Sequence, residues 1–108
     1  MTHVVTESCI RCKYTECVKV CPTDAFREGP NMLVIEPDDC IDCALCVPVC
    51  PPRAIFLEAD LPPEQEIFTA TNLHLARQWP EISRGKAPLP DADDWLHVKH
   101  KREWLDEG

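Results

Sequence analysis

Eight cysteines constrain this chain more than any other feature, because all of them lie in its first half and form two similar runs. They are Cys9, Cys12, Cys17, Cys21, Cys40, Cys43, Cys46 and Cys50. The first run has the spacing C-x2-C-x4-C-x3-C-P, and the second has C-x2-C-x2-C-x3-C-P. In both runs an isoleucine follows the first cysteine and a valine precedes the fourth. The runs therefore indicate an internal repeat, in which the first half carries a two-residue insertion.

Length and charge narrow the classes of function. With 108 residues, the chain is expected to form a single domain. Its 19 acidic and 11 basic residues give a net charge of −8, which excludes a nucleic-acid binder that works by bulk positive charge. No apolar run approaches the roughly 18 residues of a membrane helix, and the N-terminus lacks the layout of a signal peptide. We therefore expect a cytoplasmic protein without membrane or nucleic-acid partners.

The expected cytoplasmic location bears on whether the cysteines form disulfides or bind metal. A reducing cytosol disfavours structural disulfides, so metal binding becomes the leading explanation. Two tetrahedral zinc sites would also use eight thiolates. Zinc ribbons, however, pair separated C-x2-C knuckles, whereas here both runs continue directly into Cys-Pro. The spacing of the second run is typical of bacterial iron–sulfur proteins, in which three thiolates bind one cluster and the fourth ligates the other.

The insertion in the first run bears on which cysteines bind each cluster. If the fourth cysteine of each run serves the other half, a 4Fe-4S cluster is expected in the second half. Its ligands would be Cys21, Cys40, Cys43 and Cys46. The two extra residues beside Cys12 disturb the geometry of the first site, so a 3Fe-4S cluster there would leave Cys12 unligated. Its ligands would be Cys9, Cys17 and Cys50.

Short apolar runs around the cysteines predict β-strands. Four such runs, at residues 3–5, 25–27, 32–35 and 54–57, predict two small hairpin-like sheets. The four-residue interval between the third and fourth cysteines of each run fits one helical turn. The expected fold class is therefore α+β, with two small antiparallel sheets and short helices.

Residues 61–108 contain no cysteine and form an extension to the cysteine-bearing residues 1–60. A helix is predicted over residues 64–79, since apolar side chains recur on one face and proline follows it. That face consists of Phe68, Leu75 and Trp79. Asp91 is expected to cap a further short turn. The extension contains all three tryptophans of the chain, which favours packing of this segment on the core.

The same residues resemble the seven-iron bacterial ferredoxins, which carry one 3Fe-4S and one 4Fe-4S cluster. Beyond the cysteines, the similar motifs are K-Y-T at 13–15, E-G-P-N at 28–31, C-I-D-C-A-L-C at 40–46 and P-L-P-D-A at 88–92. The resemblance covers nearly the whole chain. It implies a ferredoxin-like core with pseudo-twofold symmetry, a C-terminal extension wrapped over it, and a low-potential one-electron carrier that is not an enzyme. Ala25 stands where some members carry a further cysteine, which is not a ligand.

Two residues beside the proposed ligands carry further hypotheses. Three roles are open for Cys12: an inert thiol, a fourth ligand that converts the first site to 4Fe-4S when iron is plentiful, or a redox-reactive thiol. Glu16 immediately precedes Cys17 and is a candidate proton relay to the first cluster, with a solvated glutamate as the alternative. Two other classes of function remain open: an iron or redox sensor acting through the three-iron site and Cys12, and an electron-transfer subunit of a larger oxidoreductase.

The charge distribution predicts the kind of partner. Residues 1–60 carry a charge of −5 from 10 acidic and 5 basic residues, and residues 61–108 carry −3 from 9 acidic and 6 basic residues. An acidic cluster-bearing part predicts redox protein partners with a basic docking face, and association that slows as salt is added. We expect the protein to act as a monomer.

Overall fold

Four short strands form the framework of the fold, in a computed structural model that describes residues 2–107. They are β1 (His3–Val5), β2 (Phe26–Glu28), β3 (Leu33–Ile35) and β4 (Ile55–Leu57). Strands β1 and β4 pair antiparallel, with Val4 opposite Phe56. Strands β2 and β3 form the second antiparallel pair, with Arg27 opposite Val34. The prediction of two small antiparallel sheets is confirmed, and the overall class is α+β.

The α-helices are short, with four to ten residues each. The α-helices are α1 (Glu16–Val20), α2 (Ile67–Ala76) and α3 (Ala92–Trp95), and the described residues also form four single turns of 3-10 helix. These turns lie at Glu7–Cys9, Glu58–Asp60, Pro63–Gln65 and Arg102–Trp104. Helix α1 confirms the predicted helical turn between the third and fourth cysteines of the first run. Among the described residues, no helix is both long and apolar enough to cross a bilayer.

Two helix predictions need correction. The second cysteine run forms turns before Cys50 and no α-helix. Pro48 lies inside that segment and cannot donate a main-chain hydrogen bond, which disfavours a helix there. Helix α2 is also shorter than the predicted 64–79, because Pro63 begins a 3-10 turn and the α-helix ends at Ala76.

Helix α2 packs against strands of both sheets. Phe68 and Leu75 are each only 1% exposed, and Trp79 beyond the helix end is also buried. The predicted apolar face is therefore confirmed, while Ile67 and Leu73 remain exposed. Burial of a side chain the size of Phe68 or Leu75 stabilises the folded state by about 1.5–3 kcal/mol. This packing joins the extension to the cysteine-bearing part.

Asn72 connects α2 to the free edges of two strands. Its Oδ1 accepts hydrogen bonds from the N–H groups of Val5 and Ile35, both at 3.0 Å. Its Nδ2 donates to the carbonyl oxygens of Val5 at 2.8 Å and Phe68 at 2.9 Å. In a two-stranded sheet each strand has one unpaired edge, and buried edge groups are costly unless they find partners. One side-chain amide thus satisfies three edge groups on β1 and β3.

Charged and aromatic contacts tie loops of the first half to the extension. Glu28 accepts hydrogen bonds from Lys13 at 3.1 Å and Lys86 at 2.7 Å. The ring of Trp79 lies where a β-carbon on Gly29 would fall. Of the three tryptophans of the extension, Trp79 is buried, whereas Trp104 is 48% exposed.

Candidate metal centres

The two cysteine-bearing loops share unusual backbone conformations. Six residues have left-handed φ angles of 46–69° at three pairs of equivalent positions in the repeat: Arg11 and Asp42, Lys13 and Ala44, Asp24 and Arg53. None of these residues is glycine, and such conformations cost roughly 1–3 kcal/mol each unless the surroundings impose them. The repeat seen in the sequence therefore extends to the backbone, and both loops have the strained character typical of ligand-binding segments.

A first group of thiols surrounds Cys9. All eight cysteines are free, and the cysteines of this group are Cys9, Cys12, Cys17 and Cys50. Burial is the main cause that raises the pKa of Cys9 to about 12; the negative charges that Cys50 and Cys12 would carry contribute to this rise, and a hydrogen bond from Leu33 opposes it. Burial also raises the pKa of Cys17 well above its usual range, and Cys9, Cys50 and, to a smaller extent, Cys46 add to the effect. The structure thus brings the last cysteine of the second run to those of the first.

A second group of thiols lines a small cavity beside Phe26 and Ile35. Its cysteines are Cys21, Cys40, Cys43 and Cys46. Burial is the main cause that raises the pKa of Cys46 to about 12; Cys40, Cys21 and Cys43 contribute to this rise, and its own N–H opposes it. The last cysteine of the first run therefore lies with three cysteines of the second. This is the grouping that the predicted exchange of ligands requires, while the assignment of ligands itself remains a prediction.

Main-chain N–H groups point at sulfur in both groups. The N–H of Ala25 donates to Cys21 Sγ at 3.3 Å, and the N–H of Ala54 donates to Cys50 Sγ at 3.4 Å. These two bonds occupy equivalent positions of the repeat. A third bond, from Leu33 to Cys9 Sγ, measures 3.4 Å and reaches the first group from strand β3. Such bonds stabilise negative charge on sulfur.

These donor sets fit iron–sulfur clusters. Crowded and buried thiols resist ionisation, so a positively charged group is needed to hold them as thiolates, and a bound metal deprotonates the thiols it contacts. Thiolates suit both zinc and iron–sulfur clusters. Hydrogen bonds to sulfur are among the features that set the reduction potential of iron–sulfur clusters. Two groups of four cysteines are what a protein with two such clusters requires.

Comparison with known proteins identifies the family. The chain is 48% identical to a ferredoxin of Rickettsia felis over 103 residues. The aligned region covers 94% of this chain and 92% of the relative. The chain belongs to the ferredoxin family. Ferredoxins carry electrons on iron–sulfur clusters, so the class predicted from the cysteine pattern is confirmed at that level.

Family comparisons divide this ferredoxin into two matched segments. Residues 8–55 match the 4Fe-4S dicluster domain, which spans both cysteine runs. Residues 66–107 match a domain of unknown function, DUF3470. The second segment begins just before α2 and includes Asn72. The predicted boundary at residue 60 falls between these two matches and remains a prediction.

Sequence reasoning missed two neighbours of the cysteines in this ferredoxin. Nδ1 of the buried His3 lies within hydrogen-bonding distance of Asp42 Oδ1, at 3.1 Å, and the same oxygen lies 3.7 Å from Cys40 Sγ. Lys101, which is fully buried, donates to Cys12 Sγ at 3.5 Å. The contacts of His3 with Asp42 and of Lys101 with Cys12 had no signal in the sequence, because each joins residues distant in the chain.

The surroundings of Glu16 are those of a partly exposed side chain. Its Oε1 accepts a hydrogen bond from Lys19 at 2.8 Å, within one turn of α1. The side chain of Glu16 is 46% exposed. The proton relay at this position therefore remains a prediction.

Proposed function

We propose that this ferredoxin is a low-potential one-electron carrier that holds one 3Fe-4S and one 4Fe-4S cluster. The observation that carries the proposal is the sorting of eight free thiols into two groups, each containing the last cysteine of the opposite run. The eight thiols suit the reducing cytoplasm, where we place the protein. The proposal includes a pseudo-twofold core over residues 1–60 with the extension, residues 61–108, packed on it in a monomer.

The chain would supply ligands, hydrogen bonds and exclusion of water. Cys9, Cys17 and Cys50 would hold the 3Fe-4S cluster, and Cys21, Cys40, Cys43 and Cys46 the 4Fe-4S cluster. Each cluster would accept and return one electron at a time. The main-chain N–H groups of Ala25, Leu33 and Ala54 would tune the potentials by stabilising charge on the sulfurs they contact.

Iron analysis tests the composition. Anaerobically purified protein should contain about seven iron atoms per chain and show the paramagnetic signal of an oxidised 3Fe-4S cluster. Acid-labile sulfide measured on the same sample provides an internal check. About eight iron atoms and no such signal would refute the three-iron site and make Cys12 a ligand.

Cysteine variants test the exchange of ligands. Cys50→Ser should damage the three-iron site, and Cys21→Ser should damage the four-iron site, since each serves the cluster of the other half. Cys12→Ser is the matched control and should leave both spectra intact. If each terminal variant damaged the cluster of its own half, the exchange would be wrong.

The partner proposed is a redox protein with a basic docking face. Cys43 is exposed, and the same loop presents Ile41 at 61% and Leu45 at 53% exposure. Asp38, just before this loop, has a side chain that is 79% exposed. An apolar centre with acidic neighbours suits a partner whose apolar patch is bordered by lysine or arginine.

Salt dependence tests the partner's charge. Reduction by the partner should slow as ionic strength rises, because the Debye length falls to about 10 Å at 0.1 M. Asp38→Asn should reduce this dependence, whereas Glu103→Gln in the extension serves as a control of equal charge change. A rate that salt leaves unchanged would argue against a basic docking face.

The proton relay is tested separately. Reduction of the three-iron cluster adds negative charge, and Glu16 is proposed to deliver the compensating proton. Glu16→Gln should slow proton uptake after reduction, with Glu81→Gln as a control at an exposed position. Equal uptake rates in wild type and Glu16→Gln would leave Glu16 with a surface role only.

A further inference from the structure

Lys101 is a charged side chain in an unusual environment. It is 0% exposed, although lysine is almost never fully buried without partners. Its ammonium donates to the carbonyl oxygens of Ser8 at 2.7 Å and Trp95 at 3.1 Å. The third contact is to Cys12 Sγ at 3.5 Å. All three N–H groups of the ammonium therefore donate hydrogen bonds, and one of these bonds is to Cys12, which is not a ligand of either proposed cluster.

Cys12 is held by the extension on more than one side. Its Sγ donates to the carbonyl oxygen of Ala92 at 3.5 Å, in addition to accepting from Lys101. Its own carbonyl oxygen accepts a hydrogen bond from the N–H of Leu89 at 3.4 Å. The thiol is also 0% exposed. By contrast, the main-chain donors to Cys9, Cys21 and Cys50 all come from residues before position 61.

The part of the extension that reaches Cys12 is itself anchored to the first half. Asp91 pairs with Arg11 at 2.9 Å and accepts a hydrogen bond from the indole N–H of Trp95 at 3.0 Å. Asn31 donates to the carbonyl oxygen of Trp104 at 2.7 Å. These contacts lie on either side of Lys101 in the chain. They fix the segment in position, so that Lys101 meets Cys12 in a defined geometry.

We infer that the C-terminal segment sets the composition of the first cluster, because Lys101 and Ala92 hold the Cys12 thiol out of the ligand set. The inference rests on the proposed three-iron site and assigns a role to the segment that matches DUF3470. Lys101 acts here as a positioning residue. Cys12 lies close enough to Cys9 to affect its ionisation, so proximity alone does not exclude Cys12 as a ligand.

Losing the lysine contact should open the first site to a fourth iron. The iron would enter as Fe²⁺, dithionite would supply one electron to the oxidised cluster, and the Cys12 thiol would release its proton to the buffer on forming the new iron–sulfur bond. The contact with Ala92 alone is a weak hydrogen bond from a thiol and would not prevent this.

The experiment compares four proteins after anaerobic incubation with Fe²⁺ and dithionite, followed by removal of free iron and mild reoxidation. Wild type should remain at about seven iron atoms per chain, and Lys101→Met should rise to about eight, with loss of the three-iron paramagnetic signal. Lys99→Met removes a neighbouring exposed lysine and should behave as wild type. The double variant Lys101→Met with Cys12→Ser should stay at about seven, because the new ligand is missing.

The outcomes separate the two proposals. If wild type and Lys101→Met both hold about seven irons, the inference is wrong and the proposed composition stands. If untreated wild type already holds about eight, the proposed composition fails first and the inference falls with it. A gain of iron that persists in the double variant would show that Cys12 is not the new ligand and would overturn the inference.

A second variant, Lys101→Gln, distinguishes a change of cluster composition from a folding defect. Lys101→Gln is shorter and uncharged, so it loses the contact with Cys12 but retains an amide that can donate to a nearby carbonyl. It should gain the fourth iron as Lys101→Met does, while keeping the 4Fe-4S spectrum of wild type. Loss of both clusters in both variants would show that Lys101 serves folding rather than composition, and would overturn the inference.

Discussion

Replacement of Asn72 by leucine tests how the extension is joined to the cysteine-bearing part. Leucine is close to asparagine in size but offers no hydrogen bonds. The substitution would leave three buried edge groups without partners: the N–H and carbonyl of Val5 and the N–H of Ile35. The carbonyl of Phe68 would lose only an additional contact, since it also lies within helix α2.

The expected loss of stability follows from these groups. Each buried main-chain group left unsatisfied costs about 1–3 kcal/mol, so three of them cost about 3–9 kcal/mol. Burial of the leucine methyl groups returns about 1–2 kcal/mol. Asn72→Leu should therefore destabilise the protein by about 4 kcal/mol. If only half of this destabilisation, about 2 kcal/mol, lowers the activation free energy of unfolding, the unfolding rate rises roughly thirtyfold, because about 1.4 kcal/mol corresponds to a factor of ten.

The assay is the rate of cluster loss in denaturant under anaerobic conditions, followed by visible absorbance. A rate is the appropriate quantity, since a chain that loses its clusters does not refold reversibly. His74→Leu places the same residue at an exposed position of the same helix and should change the rate little. If Asn72→Leu loses its clusters no faster than His74→Leu, the bridging amide contributes nothing to stability and the reasoning is refuted.

Three further predictions concern Tyr14, Glu28 and Gly29 in the first half of the chain. Gly29→Ala should destabilise the protein by about 1–3 kcal/mol, because the new methyl group would overlap the ring of Trp79; a neutral effect on the rate of cluster loss would contradict this. Burial alone would raise the pKa of Glu28, but the hydrogen bonds and charges of Lys86 and Lys13 have the larger effect and lower this pKa from its usual 4.5. The ionised carboxylate therefore stabilises the folded state above pH 4.5, and this stabilisation is lost as the pH falls through the lowered pKa. The advantage of wild type over Glu28→Gln should shrink as the pH falls below 4.5, and a difference independent of pH would be evidence against the ion pairs. Burial and a hydrogen bond to Asp93 raise the pKa of Tyr14 to about 12, so its phenolate absorbance should appear near that pH and earlier in Asp93→Asn; identical titrations would exclude the bond.

Local patterns in the sequence were sufficient for the elements and for the class of protein. Apart from His3, the strands at residues 3–5 and 55–57 consist of β-branched and other apolar residues, and such preferences act within a few residues. The spacing of the cysteines indicates iron–sulfur binding for the same reason, since one loop must present several ligands to one cluster. Even the error at residues 46–50 concerned a local signal, because Pro48 already disfavoured the helix.

Contacts between distant residues were decided only by the tertiary structure. From the sequence alone, Asn72 is an ordinary polar residue of a predicted helix. Its amide contacts the edges of two strands only because the fold places β1 and β3 beside it. Lys101 reads as a surface lysine, since charge normally keeps lysine in water. Its burial beside Cys12 depends on carbonyl oxygens from Ser8 and Trp95 that converge from different parts of the chain. The sequence by itself determined the chemistry of the ligands, whereas the tertiary structure decided which groups surround them, because desolvation and hydrogen bonding depend on all the segments that meet at one point.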